Sequence, residues 1–252
     1  MAISESSSRP CVGVVMLNTG FPRFPGDIGN PASFDSMDVD VRYKVVDAAT
    51  VSSIVTASGI SESVTDALLE AIHDFCKEGV DLILTSCGFL SELQARFQRT
   101  SSVPVVASSL ELLPMLRRAY GDDHDIAIMT YDSRRLNSNH LGMMVDSETS
   151  STRNATVHDN LIIQGMEQAS AFYTMIAESK SRVDYDLLAA EVCREAEKIN
   201  NDRVAALVLE CTNLSPYRQQ ICCTVNVPVF DILDTARFFL TAMRSEPISI
   251  EE

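Results

Sequence analysis

The sequence predicts an α/β protein made of two similar units, and three observations support this. Short apolar, β-branched runs alternate with longer stretches of helical period, as in parallel sheets covered by helices. The chain has 252 residues, 46% of them apolar, which suffices for one large domain or two of roughly 125 residues with separate cores. A strand–helix–strand segment also recurs 124 residues further along the chain.

The predicted elements follow from apolar spacing. Compact apolar runs predict strands, and residues that recur every three or four positions predict helices with one buried face. A polar loop is expected around residues 146–154. The predicted strands are 11–17, 80–84, 103–107, 125–130, 204–209 and 227–230. The predicted helices are 62–77, 91–98, 110–120, 164–179, 185–199 and 233–243.

The charge balance excludes several kinds of partner. Lys plus Arg number 20 against 35 Asp plus Glu, a formal net charge of −15. Such a surface repels phosphate backbones and anionic lipid headgroups, so we expect neither nucleic-acid nor membrane binding. No apolar run approaches the ~20 residues that cross a bilayer. Residues 1–10 are polar and Ser-rich, which predicts a disordered tail and a cytoplasmic protein.

The cysteine pattern fits a reducing compartment. The chain has seven cysteines, an odd number, and none is spaced as CxxC. We therefore expect neither a disulfide framework nor a metal site, and no sequence feature requires a cofactor. The sequon that begins at Asn154 is expected to be unmodified in that compartment.

The internal repeat is the most informative feature. Residues 80–117 align without a gap on residues 204–241, so that VDLILTSCGFLS falls on VAALVLECTNLS. In both copies a VPV triplet begins 16 residues after the cysteine. A weaker match joins residues 12–19 to 125–132. Short α/β elements can align by chance, but we favour a duplicated unit and two domains related by a pseudo-twofold axis.

Cys87 and Cys211 occupy equivalent positions in the two copies. Each follows a predicted parallel strand and precedes a helix, at the sheet edge where open α/β sheets bind ligands. A pseudo-twofold axis would bring the two thiols to opposite sides of one cleft. One thiol could then remove a proton from a bound carbon and the other return it to the opposite face. The alternative is a structural role as small buried residues, which we assign to Cys11, Cys76, Cys193, Cys222 and Cys223.

The segments around these two cysteines resemble the aspartate/glutamate/hydantoin racemase superfamily. Each half has a strand that runs into its motif, Cys87-Gly88 in the first and Glu210-Cys211-Thr212-Asn213 in the second. The resemblance extends from Cys11 to about Met243. It implies two flavodoxin-like domains, a cleft with one catalytic cysteine from each, a small carboxylate substrate, and a homo-oligomer (dimer or tetramer). It also implies a first domain of residues 11–118 plus 230–252 and a second of 119–229.

The departures from that family are specific. Typical amino-acid racemases have Asn-Thr after the first cysteine, where this chain has Gly88-Phe89. After the second cysteine they have Thr and then His or Glu, whereas Asn213 here cannot accept a proton. The side chain of Glu210 should point to the opposite face from Cys211 if the strand continues that far. These differences argue against a standard glutamate racemase.

A loop rich in proline and glycine, residues 20–31, follows the first strand. It is either a packed surface connection or a lid over the cleft. Arg42 and Tyr43 follow it, and a cation there could pair with a substrate carboxylate. Together the segments FPGDIGNP, VRYKVV and LECTNLSPY are similar to the branch of the superfamily that includes algal-type dimethylsulfoniopropionate lyases.

The first hypothesis is a cofactor-independent racemase or isomerase of a small carboxylate, with Cys87 and Cys211 as the acid/base pair. One alternative is a dimethylsulfoniopropionate-type carbon–sulfur lyase, in which an aromatic ring holds the sulfonium. The other is a non-catalytic metabolite-binding protein of the same fold. The expected carboxylate anchors are Asn18, Thr130, Thr212, Asn213 and the backbone N–H groups of Gly88 and Phe89. The candidate aromatic residues are Phe89, Tyr43 and Tyr131.

The two thiols are expected to differ. Thr212 and Asn213 supply a hydroxyl and an amide beside Cys211, whereas Gly88 and Phe89 supply only backbone donors and an apolar ring. The richer donor set predicts a lower pKa and a more reactive thiolate at Cys211.

Overall fold

A computed structural model describes residues 9–56, 58–141 and 160–243. Residues 1–8 of the predicted tail lie outside these ranges. The predicted loop at 146–154 and the sequon at Asn154 also lie outside the described residues.

In these ranges eight strands form two separate sheets with the same strand order. The first sheet contains β1 (Cys11–Leu17), β2 (Asp40–Val46), β3 (Leu82–Thr85) and β4 (Val105–Val106). The second contains β5 (Asp125–Thr130), β6 (Leu161–Gly165), β7 (Val204–Leu209) and β8 (Val229–Phe230). Their orders are β2-β1-β3-β4 and β6-β5-β7-β8, and every pairing is parallel. The predicted fold class, α/β with two similar parallel-sheet units of flavodoxin-like strand order, is confirmed.

Within the described ranges, α-helices lie between most successive strands, as is usual for parallel pairing. None of the helices in the described ranges is long and apolar enough to cross a bilayer. The first half contains α1 (Val51–Ile54), α2 (Glu62–Glu78), α3 (Gln94–Thr100) and α4 (Leu113–Tyr120). The second half contains α5 (Ser170–Ala177), α6 (Tyr185–Glu197), α7 (Arg218–Thr224) and α8 (Ile232–Met243). The part of the chain that the structure describes also has four 3-10 turns, at Pro31–Met37, Gly88–Leu93, Ser109–Leu112 and Thr212–Tyr217.

Two of the strands were not predicted. The edge strand β2 carries charged residues at alternate positions and is largely exposed, so it lacks the apolar signal of a buried strand. The other, β6, overlaps the start of the helix predicted for residues 164–179, which begins only at Ser170. Both lie at sheet edges, where burial is lower and the apolar pattern is weaker.

The internal repeat appears in the structure element by element. The 3-10 turn Gly88–Leu93 is followed by α3, and the turn Thr212–Tyr217 is followed by α7. Both pairs of elements, and the strands β4 and β8 after them, begin 124 residues apart. The equal spacing supports a duplicated unit.

The helices that follow β4 and β8 are exchanged between the sheets. α8 contacts β3 and buries Ile232, Leu233, Ala236 and Leu240 in a core shared with Val12 of β1. α4, which follows the first sheet in sequence, contacts β5 and β7 of the second. The domain boundaries at residues 118 and 230 stay a prediction. The exchange matters for the first of them, because residue 118 lies within α4, which packs on the second sheet.

A buried carboxylate on α6 caps the start of α5. Oε2 of Glu191 accepts the Phe172 N–H at 2.9 Å, and Oε1 accepts the Ala171 N–H at 3.2 Å. Glu191→Ala leaves these two N–H groups without acceptors, which should lower the free energy of unfolding by about 1–3 kcal/mol. Thermal and urea unfolding monitored by circular dichroism measures this. Glu197→Ala, at an exposed position of the same helix, is the control, and equal stabilities of the two variants would contradict the capping role.

Candidate active site

Cys87 and Cys211 lie at equivalent places in the two sheets and line the same cavity. Cys87 comes two residues after the end of β3, and Cys211 two residues after the end of β7. Each immediately precedes a 3-10 turn. The structure therefore brings together the two cysteines that the repeat singled out.

Direct hydrogen bonds hold the two strand ends together. The Thr212 hydroxyl donates to the backbone oxygen of Ser86 at 2.8 Å, across the boundary between the sheets. The Ser109 hydroxyl donates to the backbone oxygen of Leu209 at 2.6 Å. Both bonds are buried, so they keep their strength in the low-dielectric interior. These buried bonds from short hydroxyl side chains to the backbone tie together the strand ends that carry the two thiols.

The cavity is about 370 Å³ in volume, including its opening, and it is largely apolar. Phe89 and Tyr131 provide two of its aromatic surfaces. The Tyr131 ring stacks on Tyr173 at 4.6 Å between centroids, and the Tyr173 hydroxyl donates to the Asp132 carboxylate at 2.8 Å. Phe89 packs edge-on against the buried His140 ring. The Phe89 and Tyr131 rings are therefore held in place by their ring contacts with His140 and Tyr173.

Glu210 lies in the same cavity, contrary to the expectation from strand alternation. The strand β7 ends at Leu209, so the alternation of faces does not extend to Glu210. Oε2 accepts the Thr130 hydroxyl at 2.7 Å, whereas Oε1 has no hydrogen-bond partner among the described residues. Burial raises the pKa of this carboxyl to about 7. Glu210, which lines the cavity of the two thiols with one carboxylate oxygen unpaired among the described residues, is the main site residue that was expected to face away from Cys211.

The position of Glu210 explains why residue 88 is glycine. A Cβ on Gly88 would overlap the backbone oxygen and the carboxylate of Glu210. The asparagine found after the first cysteine in typical amino-acid racemases therefore does not fit here. In this chain the Glu210 carboxylate occupies the space that such a side chain would need.

Both cavity thiols are harder to ionise than an ordinary cysteine. Burial and then the Glu210 carboxylate raise the pKa of Cys87 to about 12. The same two causes raise the pKa of Cys211 well above its usual value, although the Asn213 amide donates to its sulfur at 3.6 Å. The Asn213 donors lower the pKa of Cys211, as expected, but loss of solvation outweighs them and the net shift is upward. That Cys211 is the more reactive of the two thiols stays a prediction.

This result predicts slow alkylation of the ligand-free protein. At pH 7.5 iodoacetamide should modify Cys87 and Cys211 much more slowly than Cys222 and Cys223, which are exposed on α7, contrary to the expectation that they are buried. Because thiolate is the reacting form and the pKa of Cys87 is raised to about 12, the rate at Cys87 should rise about tenfold per pH unit between pH 7 and 9 without reaching a plateau. Peptide mapping by mass spectrometry after timed quenching measures each site. Cavity thiols that react as fast as Cys222 at pH 7.5 would contradict the pKa directions.

The cavity has a cation that the sequence analysis did not select. Arg23 is the only basic residue in the loop of residues 20–31, and it lines the cavity with a largely buried guanidinium. It donates to the buried Asp27 carboxylate at 3.0 Å and to the Thr19 hydroxyl at 3.1 Å. A lone cation in a Gly/Pro loop of an acidic protein is the signal that could have identified it.

Four predicted substrate-binding residues do not line the cavity. The Arg42 guanidinium donates to the backbone oxygen of Glu78 at 2.9 Å on the outer part of the first sheet. The Tyr43 hydroxyl donates to the backbone oxygen of Ile28 at 3.4 Å. Asn18 is exposed, with its backbone N–H bound to Ala49. Thr130 is buried behind Glu210. The other four, Gly88, Phe89, Thr212 and Asn213, line the cavity as expected.

The loop of residues 20–31 covers the cavity from the first sheet. Its backbone N–H at Gly20 donates to the Ser179 hydroxyl at 2.5 Å, beyond the end of α5. Its Phe24 packs edge-on against Tyr185 of α6, with 5.0 Å between ring centroids. The loop therefore contacts the second half while Phe21 and Arg23 line the cavity. The structure favours the covering role over a mere surface connection.

Curated relatives are similar along nearly the whole chain. No protein-family model matches it. It is 29% identical over 239 residues to a dimethylsulfoniopropionate lyase of Durusdinium, covering 94% of this chain and 76% of that protein. It is 28% identical over 247 residues to dimethylsulfoniopropionate lyase 3 of Emiliania huxleyi, covering 96% of this chain and 62% of that protein. The chain thus spans about three quarters of the first relative and less than two thirds of the second.

Solved structures confirm the fold. Glutamate racemase from Francisella tularensis in complex with D-glutamate superposes with a TM-score of 0.55 at 15% identity, covering 94% of this chain and 81% of that one. Unliganded arylmalonate decarboxylase gives a TM-score of 0.52 at 15% identity, covering 93% and 92%. At such identities the likeness concerns the fold alone, and it is the two-domain fold of the resemblance drawn from sequence.

Proposed function

We propose that this chain, which has the fold of the aspartate/glutamate racemase superfamily, is a carbon–sulfur lyase that releases dimethyl sulfide from dimethylsulfoniopropionate. The observation that carries the proposal is the similarity to dimethylsulfoniopropionate lyases over more than nine tenths of the chain. The lyase was the alternative to a racemase in the sequence analysis. The composition of the cavity now gives it the stronger support.

The cavity offers a group for each end of such a substrate. Arg23 supplies a guanidinium for the carboxylate, and Phe89 and Tyr131 supply π faces for a sulfonium. Arg23 lines the same cavity as both thiols, and its charge offsets part of the rise that burial and Glu210 cause in the pKa of Cys87. A carboxylate bound to Arg23 would therefore have its neighbouring carbon close to the thiols.

The reaction is a β-elimination. A cysteine thiolate takes a proton from the carbon next to the carboxylate, and the electron pair of that C–H bond forms a carbon–carbon double bond. The C–S bond breaks, and its electron pair leaves with sulfur as neutral dimethyl sulfide. Acrylate remains, and the proton is on the thiol.

The positive charge of the substrate also favours ionisation of the cysteine that acts as the base. In the ligand-free cavity burial and Glu210 keep both thiols protonated at neutral pH. A sulfonium bound beside them favours the thiolate electrostatically, as any nearby cation does. The reactive form is thus favoured only when the substrate is in place.

A headspace assay tests the proposal. The purified protein with millimolar dimethylsulfoniopropionate should release dimethyl sulfide and form acrylate in equal amounts, measured by gas chromatography and proton NMR. The double variant Cys87→Ser/Cys211→Ser is the control for chemical breakdown of the substrate. Release no faster than in this control would remove the lyase proposal.

A racemase or isomerase of a small carboxylate is the second candidate. The observation that favours it is the placement of two thiols on one cavity, since inversion needs a group on each face of the carbon. Exchange of a substrate α-proton with heavy water, followed by NMR over a panel of small amino and hydroxy acids without added cofactor, tests it. A panel with no exchange would remove this candidate.

A further inference from the structure

Glu210 is the one cavity carboxylate whose charge is not matched by a cation of the protein within the described residues. The side chain is 1% exposed, its Oε2 is bound to Thr130, and its Oε1 has no partner among those residues. Asp27, by contrast, already has Arg23 as its ion-pair partner. A buried carboxylate is costly to keep without a positive partner or further donors.

The surroundings of this carboxylate suit a cation that carries no hydrogen-bond donors. Glu210 lines the cavity together with Phe89 and Tyr131, and its carboxylate lies against the bare α-carbon of Gly88. The Cys87 and Cys211 thiols line the same cavity, and burial together with the Glu210 charge raises the pKa of both, so they add no charge of their own. These groups together offer one negative charge, aromatic faces and little else.

We infer that Glu210 is the counter-ion for the positive group of the substrate, so that the cavity selects zwitterions with a carboxylate at Arg23 and a methylated cation at Glu210. This inference rests on the proposed function for the choice of substrate, and it adds the residue that sets charge specificity. Glu210 acts through electrostatics and takes no proton from the substrate. Its raised pKa fits this role, because a positive ligand would restore the charged form.

The test uses two ligands of the same shape that differ in charge and cannot release dimethyl sulfide. 3-(Trimethylammonio)propanoate has a quaternary nitrogen where 4,4-dimethylpentanoate has a carbon. Isothermal titration calorimetry on the wild-type protein should show that the cationic ligand binds at least about tenfold more tightly, the lower end for a close charge pair. In Glu210→Gln, which keeps the shape and removes the charge, that ratio should fall close to one.

A matched control separates charge recognition from general damage. Glu195 is also a buried carboxylate, but it lies on α6 and its partners are Gln164 and Lys198. Glu195→Gln should leave the binding ratio unchanged. A wild-type ratio near one, or an unchanged ratio in a folded Glu210→Gln, would overturn the inference even if dimethyl sulfide is released. Retained selectivity without any release would instead count against the proposed function alone.

Discussion

Cys211→Ser should lower the rate constant of dimethyl sulfide release by about 10²–10⁴-fold, the usual contribution of a general base. A serine hydroxyl is a far weaker acid than a thiol, so it does not form the anion that removes the proton. We place the base at Cys211 because the Asn213 amide donates to its sulfur at 3.6 Å and stabilises the thiolate once it forms. Initial rates by headspace gas chromatography at saturating substrate measure the effect.

Cys87→Ser is the matched comparison, since it makes the same exchange at the equivalent position of the repeat. An elimination needs one base, so this variant should keep measurable release, whereas an inversion would need both thiols. The Cys87→Ser variant should still bind the substrate, because Arg23 and Glu210 are unchanged. A Cys211→Ser variant with near wild-type release, or a larger loss in Cys87→Ser, would reverse the assignment.

Arg23→Gln should raise the KM for dimethylsulfoniopropionate by about 30-fold or more, because a buried charge loses its partner. The same substitution should also destabilise the fold by about 3–5 kcal/mol, since Asp27 is 1% exposed and would keep an unpaired charge. Steady-state kinetics and urea unfolding measure the two effects.

The double variant Arg23→Gln/Asp27→Asn separates binding from stability. The amide introduced at position 27 would carry no charge and could still accept the Gly29 N–H, which the native aspartate accepts at 2.7 Å. The double variant should therefore recover most of the lost stability while its KM stays high. If KM returned to the wild-type value together with stability, Arg23 would be a structural residue only.

The fold could be predicted because its signals are local. Buried strands such as β1 and β7 consist almost entirely of apolar residues, and their predicted bounds agree with the structure. The repeat added the relation between the two halves, which no single element reveals. The edge strands β2 and β6 escaped prediction because half-exposed residues weaken the apolar pattern.

The site was harder to predict because its members come from distant positions. The two cysteines were identifiable from their equal placement in the repeat. Arg23 required knowledge of how the loop of residues 20–31 crosses the cavity. Glu210 depended on where β7 ends, since one further residue of regular strand would have directed its side chain elsewhere. The ionisation of the thiols depended on burial, which local sequence does not specify.

The exchange of α4 and α8 has a consequence for how the molecule unfolds. The apolar side of α8 closes the core over the first sheet, although its sequence follows the last strand of the second. The helix after β4 is likewise packed on β5 and β7. Unfolding of either half removes a helix from the sheet of the other half, so the two halves should unfold together as one cooperative unit. The distance and orientation between the two thiols should therefore be kept until both halves unfold.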